Sequence, residues 1–355
     1  MMLKIGVPKE IKPMEGRVSL VPSAVAEIVH NQGTEYVETG AGELSGFDDQ
    51  QYQDSGATIV DNADALFTAA ELLVKVKEPI ADDLKRLRSD HVLFCYLHLA
   101  ANISLLEKLK KLGLLAIAFE TVESRGKLPL LAPMSEVAGR VAVQSGAHFL
   151  HESMGGRGVL LGGATATERG QVTVLGAGTA GTFAIKEAAA MGANITVFDL
   201  NADALTRVRE FGPNITALYP SKNVIERVLK ITDLLIGAVL IPGEAAPKLV
   251  TREMVKNMPE GSVIVDIAID QGGCVETIRP TDYRQPTYVE EGVVHMGVTN
   301  LPGAVPRTSS EALSAAILPY VLQLARGAVD ESPALKAGIN VANGKIVHPA
   351  LISLV

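Results

Sequence analysis

Cysteine is scarce in this chain: Cys95 and Cys274 are the only two in 355 residues, too few for a disulfide framework or a four-thiolate zinc site. That scarcity fits a reducing compartment. Long apolar runs are missing as well. The longest, Leu112 to Phe119 and Leu234 to Ile241, each broken by a glycine, reach about 8 residues where a bilayer span needs about 20. The opening MMLKIGVPKEIK has no apolar stretch of signal-peptide length, so the expectation is a cytoplasmic protein with no membrane partner. A basic excess is also lacking. Against 32 Lys and Arg stand 40 Asp and Glu, a formal net charge of −8 with no block of like charge. This excludes a broad nucleic-acid footprint, so any anionic ligand must be caught by local groups.

What is present is a packed composition, 47% apolar and 20% charged, over about twice the usual domain length of roughly 150 residues. Short Val, Ile and Leu runs alternate with segments of helical period, the pattern of βα units and a parallel sheet. The first series places strands near Leu3–Val7, Thr34–Glu38, Leu72–Val76, Val92–Tyr96 and Leu115–Phe119. A helix over Ala24–Asn31 has Ser23 to cap it and Gly33 to end it. The second series places strands near Gln171–Leu175, Asn194–Phe198, Leu234–Ile236 and Ser262–Ile267. Between the two lies a helix over Met134–Leu150, capped by Ser135, and a long helix over Ser310–Gly327 follows the second. The last 28 residues start no new βα series and are expected to fold back on the first half. The expected fold class is α/β, with two Rossmann-like doubly wound parallel-sheet domains. The first domain takes 1–134 plus 305–355, making it discontinuous, and the second takes 135–304. A cleft between them would hold small ligands.

One motif carries a specific chemistry. In QVTVLGAGTAGTFAIKEAAAMGANITVFDL a strand leads to Gly176-x-Gly178-x-x-Gly181, then a helix, a second strand, and Asp199, 23 residues past Gly176. Gly176 permits the tight turn, Gly178 lets backbone approach a pyrophosphate, and Gly181 lets helix and strand pack closely. The helix start supplies N–H groups and a positive dipole end to the phosphates. Asp199 would accept hydrogen bonds from the adenosine ribose and repel a 2′-phosphate, which favours NAD over NADP as cofactor.

A second constellation is scattered through the chain. Lys75 and Lys77 share one face of an expected strand by its period of two, His98 follows an apolar strand, and Asp270 follows another and precedes two glycines. Each alone has a structural reading: a solvated lysine or an ion pair with Glu78, a packed histidine, a turn-forming aspartate. Location favours function, because Lys77, His98 and Asp270 each sit at the carboxyl end of an expected parallel strand, where open α/β sheets bind ligands. Arg17 follows the first strand and would reach the same side. Such a set beside a nicotinamide suits a small carboxylate that gives up a hydride.

The segments GVPKEIK, ETGAGELSGF, LVKVKEPI, YLHLAA, LPLLAPMSEVAGR, GGRGVLLGG, IGAVLIPG, APKLV, VDIAIDQGGC and AVPRTS stand in the order and spacing of bacterial alanine dehydrogenases. The chain resembles that family, which also includes the transhydrogenase alpha-subunits, over essentially its whole length. The resemblance implies oxidation of L-alanine by NAD to pyruvate and ammonium, the reverse reaction, and assembly as a homohexamer. It assigns Arg17 and Lys77 to the substrate and His98 and Asp270 to acid–base catalysis. It places Ser135, Asp199, Val239, Leu240, Ile267, Asp270, Arg279, Val298, Asn300 and Leu301 where the family contacts NAD, and it assigns no metal ligands. Three departures stand out. Pro13-Met14-Glu15-Gly16 replaces an Asn-Asn-Glu-aromatic run before Arg17, with Gly16 adding freedom where an aromatic would pack. Ala204 replaces a basic residue and Pro220 a serine near the adenosine, which predicts NAD binding weaker by about 1–2 kcal/mol. Two other readings are a dehydrogenase of another small amino acid or an opine, and a transhydrogenase-like NAD-binding subunit.

Overall fold

The computed structural model describes residues 2–239 and 246–354 and divides the chain into two compact units, Met1–Met134 with Val305–Val355 and Ser135–Ala304. The strands in chain order are β1 (Ile5–Val7), β2 (Glu35–Glu38), β3 (Thr58–Val60), β4 (Leu72–Val74), β5 (Val92–Cys95) and β6 (Leu115–Ala118). Next come β7 (Gln171–Leu175), β8 (Asn194–Phe198), β9 (Ile215–Leu218), β10 (Leu234–Gly237), β11 (Val263–Asp266), β12 (Thr287–Glu290) and β13 (Val293–Met296). The return segment adds β14 (Ile339–Ala342) and β15 (Lys345–Ile346).

The first sheet runs β15-β14-β6-β5-β4-β1-β2-β3 and the second β12-β13-β11-β10-β7-β8-β9. Apart from edge strands, both follow the doubly wound order, in which the chain starts in the middle, winds out one way, then returns to wind out the other. The switch points are the β1/β4 and β7/β10 neighbours, both parallel pairs. Strands β4, β10, β11 and β13 bury every residue, as parallel strands covered on both faces do. Leu66, Phe67, Leu93 and Leu106 belong to a core cluster of the first unit, and Leu175, Phe198, Leu235 and Ile264 to one of the second.

Both sheets are mixed rather than wholly parallel. Strand β12 runs antiparallel to β13, and β14 runs antiparallel to both β6 and β15. Each hairpin closes over two residues of positive φ: Glu291 and Gly292 at 54° and 75°, Asn343 and Gly344 at 51° and 74°. Those angles mark the turn whose twist matches antiparallel strands. Thus the segment after the long helix Pro306–Ala325 extends the first sheet, with Val341 opposite Ala116.

Helix ends differ locally from expectation. The first helix is Pro22–His30, so Ser23 lies inside it and Pro22 fixes its start. At its end Gln32 takes the left-handed turn (φ 66°), and Gly33 donates its N–H to the Ile28 carbonyl at 2.9 Å. A Cβ on Gly33 would lie 2.6 Å from the Ile28 side chain. The helix expected over Met134–Leu150 spans Ala132–Phe149, so Ser135 sits in its first turn and does not cap it.

Candidate functional site

At the carboxyl edge of the first sheet, the loop after β1 carries Glu15 and Arg17, and the long helix Pro306–Ala325 holds it. Ser310 and Ser314 hydroxyl oxygens accept the Val18 and Val21 N–H groups at 2.9 and 3.1 Å. Ser45 donates to the Gly16 carbonyl at 2.7 Å. A Cβ on Gly16 would lie 3.2 Å from Leu44 and 3.4 Å from Pro306, so a side chain here would press on Leu44 by a few tenths of an ångström. Arg17 and Glu15 are buried and paired twice, Nε to Oε1 at 2.7 Å and Nη2 to Oε2 at 2.6 Å. Burial opposes ionisation of Glu15, but the Arg17 contacts outweigh it and hold the carboxyl below its usual range.

Strand β4 ends at Val74, short of both lysines, and their fates separate. Lys75 is closed to solvent, with Nζ 3.4 Å from both Glu10 Oε2 and Asp83 Oδ2. These are ion-pair distances, and neither meets hydrogen-bond geometry. Glu10 also receives the Val76 and Lys77 N–H groups on Oε1, at 2.6 and 3.3 Å. Lys77 itself is half-buried, and burial together with the Arg17 and Lys12 cations holds its ammonium below the usual lysine range.

Beyond β5, His98 is exposed and adopts a left-handed backbone (φ 49°), with its N–H held by Glu120 Oε1 at 2.6 Å. Its ring stacks on Tyr96, centroids 5.9 Å apart. Nδ1 lies 3.7 Å from Glu78 Oε2, an electrostatic contact outside hydrogen-bond range, while Lys12 bonds Glu78 directly. Burial works against the Glu78 charge, yet the His98 ring and Lys12 bring its carboxyl down to about 2. The first unit therefore brings Arg17, Lys77 and His98 to one sheet edge among the carboxylates Glu10, Glu15, Glu78 and Glu120. Sequence reasoning named Glu78 only as an ion-pair partner of a lysine and missed the roles of the other carboxylates, although Glu10, Glu78 and Glu120 follow β1, β4 and β6 and share the strand-end signal.

In the second unit, β7 ends at the glycine loop and the helix Thr179–Ala190 begins with Gly178 as its cap. The three glycines do different things. Gly176 has φ 97°, and a Cβ on it would lie 2.5 Å from the Ala238 carbonyl oxygen. A Cβ on Gly181 would lie 1.9 Å from the Gly176 oxygen, so helix and loop touch backbone to backbone. At Gly178, among the described residues and apart from its chain neighbours and its own helix, no atom lies within 4 Å of the Cβ position. Such an open cradle at a helix start fits the pyrophosphate of a dinucleotide. Asp199, just past β8, accepts the Ala177 N–H on Oδ2 at 2.6 Å and the Asn201 N–H on Oδ1 at 2.7 Å.

Six of the other expected contacts follow strands at the same edge. Val239 follows β10, Ile267 and Asp270 sit in the short helix Ile267–Gln271 after β11, and Val298, Asn300 and Leu301 follow β13. Leu240 lies outside the described residues. Arg279 is exposed and stacks its guanidinium 3.9 Å over the Tyr288 ring, whose hydroxyl accepts the Arg279 N–H at 2.8 Å. Ser135 is half-buried in the helix Ala132–Phe149. Ala204 is buried, its N–H capped by Asn201 at 3.1 Å.

Comparison with known proteins agrees with this layout. Residues 6–138 match the model "Alanine dehydrogenase/PNT, N-terminal domain" and residues 142–349 match "Alanine dehydrogenase/PNT, C-terminal domain". The chain is 50% identical to the alanine dehydrogenase of Bacillus subtilis (strain 168) over 353 residues, covering 98% of this chain and 93% of the relative. It is 46% identical to that of Mycobacterium tuberculosis (strain ATCC 25618 / H37Rv), covering 97% and 95%. Among solved structures, an L-alanine dehydrogenase superposes with TM-score 0.96 at 48% identity, covering 99% of each chain. A transhydrogenase from Sinorhizobium meliloti superposes with TM-score 0.85 at 28% identity, covering 98% of this chain and 99% of that one. With both family models matched in order across nearly its full length, the chain belongs to the alanine dehydrogenase/PNT family.

Proposed function

We propose that this protein is an NAD-dependent alanine dehydrogenase, converting L-alanine, NAD and water to pyruvate, ammonium, NADH and a proton, and the reverse. The observation that carries the reading is the cationic pair Arg17 and Lys77 at a sheet switch point, in a chain 50% identical to an alanine dehydrogenase. When bound, NAD accepts a hydride from the substrate α-carbon. Arg17 and Lys77 hold the substrate carboxylate, and Lys77 polarises the developing carbonyl. Because Glu15 occupies the Nε–Nη2 edge of Arg17, a carboxylate could use that edge only by displacing Glu15. His98 and Asp270 move the protons as water adds and ammonia departs, tasks for groups that titrate or can be tuned near neutral pH. The unit with the glycine loop takes NAD, and the unit with Arg17 takes the substrate. Among the described residues no helix is long and apolar enough to cross a membrane, and a cytoplasmic homohexamer is the assembly we propose.

The test is NADH formation, followed by its near-ultraviolet absorbance, with NAD and a panel of L-amino acids. Turnover with L-alanine well above serine, valine and a blank supports the reading, and equal rates overturn the substrate. A transhydrogenase-like role is the second reading and has the weaker support, a similarity at 28% identity against 50% for an alanine dehydrogenase. It predicts NADH binding without any amino-acid turnover. Light scattering after gel filtration tests the hexamer.

A further inference from the structure

The chain lacks a basic side chain at position 204, but one turn further along the same helix, Ala202–Arg209, stands Arg207. Its Nη2 donates to the Ala177 carbonyl at 3.0 Å and lies 3.4 Å from the Thr182 hydroxyl. Ala177 is the residue between Gly176 and Gly178, and its N–H is bonded to Asp199 at 2.6 Å. An anionic and a cationic side chain thus grip one loop residue from its two sides. The Arg207 side chain is exposed, and among the described residues its Nε and Nη1 donate to no partner.

The two groups suit different coenzymes. A ribose with two hydroxyls offers donors, which an ionised carboxylate accepts. A ribose bearing a 2′-phosphate offers acceptor oxygens and about two negative charges, which a guanidinium with spare N–H groups answers and a carboxylate repels. We propose that Arg207 is a specificity-determining residue. Coenzyme choice is set by the balance of Asp199 and Arg207 at Ala177, and Arg207 gives the site a residual affinity for NADP that Asp199 holds down. The inference rests on the NAD reading above.

Fluorescence titration of the intact protein with NADH and with NADPH tests it. Both nucleotides should bind, NADPH more weakly. Arg207→Met should weaken NADPH about tenfold, the loss of one charge-assisted hydrogen bond, and NADH less than threefold, and Arg207→Lys should restore part of the difference. Asp199→Asn should strengthen NADPH binding about tenfold when Arg207 is present, and not in the double variant with Arg207→Met. An equal loss for both nucleotides in Arg207→Met would reduce Arg207 to a loop clamp and overturn the proposal, as would no change in either. If NADH itself fails to bind the unmodified protein, the coenzyme reading falls and this inference with it. If NADH binds and the NADH to NADPH ratio ignores Arg207, only the inference falls.

Discussion

The ammonium of Lys75 meets the carboxylate of Glu10 at 3.4 Å with both side chains closed to solvent. The pair stands behind Lys77, because the other oxygen of Glu10 receives the Lys77 N–H. Burial alone would neutralise Lys75, but Glu10 and Asp83 outweigh it and raise its pKa. Removing the cation leaves two buried carboxylates without their counter-ion. Lys75→Met should cost about 3–5 kcal/mol of stability, measured by urea unfolding of the first unit's transition. A loss below about 1 kcal/mol would show that these charges are solvated in solution.

Lys77 should lose its proton at lower pH than an ordinary lysine, because burial and the neighbouring cations Arg17 and Lys12 disfavour its charge. As the site is proposed to hold a carboxylate, KM for pyruvate should rise with pH, starting below the usual lysine range. Lys12→Met removes one repelling cation and should move that rise to higher pH. Steady-state KM against pH for the two proteins checks both the position and the sign. A rise that moves to lower pH would contradict the electrostatic account.

Gly178 and Gly181 should answer differently to the same methyl group. Gly178→Ala places it in open space at negative φ, so the fold should keep its stability within about 0.5 kcal/mol while NADH binds about tenfold more weakly. Gly181→Ala drives a methyl onto the Gly176 carbonyl and should destabilise the second unit by about 1–3 kcal/mol or more. Thermal melts with NADH titrations separate the two effects.

Glu35 lies buried in β2 with neither carboxylate oxygen hydrogen-bonded, and burial raises its pKa to about 8. The folded chain keeps this proton up to about that pH, while the unfolded chain releases it in the ordinary carboxylate range. Between the two values the folded state binds the extra proton, so stability falls as pH rises and levels off above pH 8. Glu35→Gln should remove this slope, gaining relative to the parent by up to about 1.4 kcal/mol per pH unit. Parallel urea titrations across neutral pH would show it, and identical slopes in the two proteins would refute it.

The parallel core of both sheets was legible because β4 is wholly apolar and β10 and β11 are apolar up to their last residues, Gly237 and Asp266, a signal that burial on two faces imposes. The glycine loop was legible because each glycine answers a local backbone demand. The hairpins at Glu291-Gly292 and Asn343-Gly344 were missed, although Asn-Gly is a strong turn signal, because their strands are short and weakly patterned. The separation of Lys75 from Lys77 was not legible either. A period of two places both on one face, but β4 stops at Val74, and Lys75 is fixed by Glu10, which is 65 positions away in the chain. Contacts of that range, like the grip of Arg207 on Ala177, leave no local pattern.

The antiparallel pairing of β14 with β6 has a consequence for the order of events during synthesis. The strand that covers the β6 edge is made only after all of Ser135–Ala304 has been synthesised. The second unit is contiguous and can reach its native pairing while the first still waits with β6 uncovered. An uncovered parallel edge is a template for another chain. The nascent first unit thus carries an edge open to mispairing with its neighbours on a polysome that the finished chain covers.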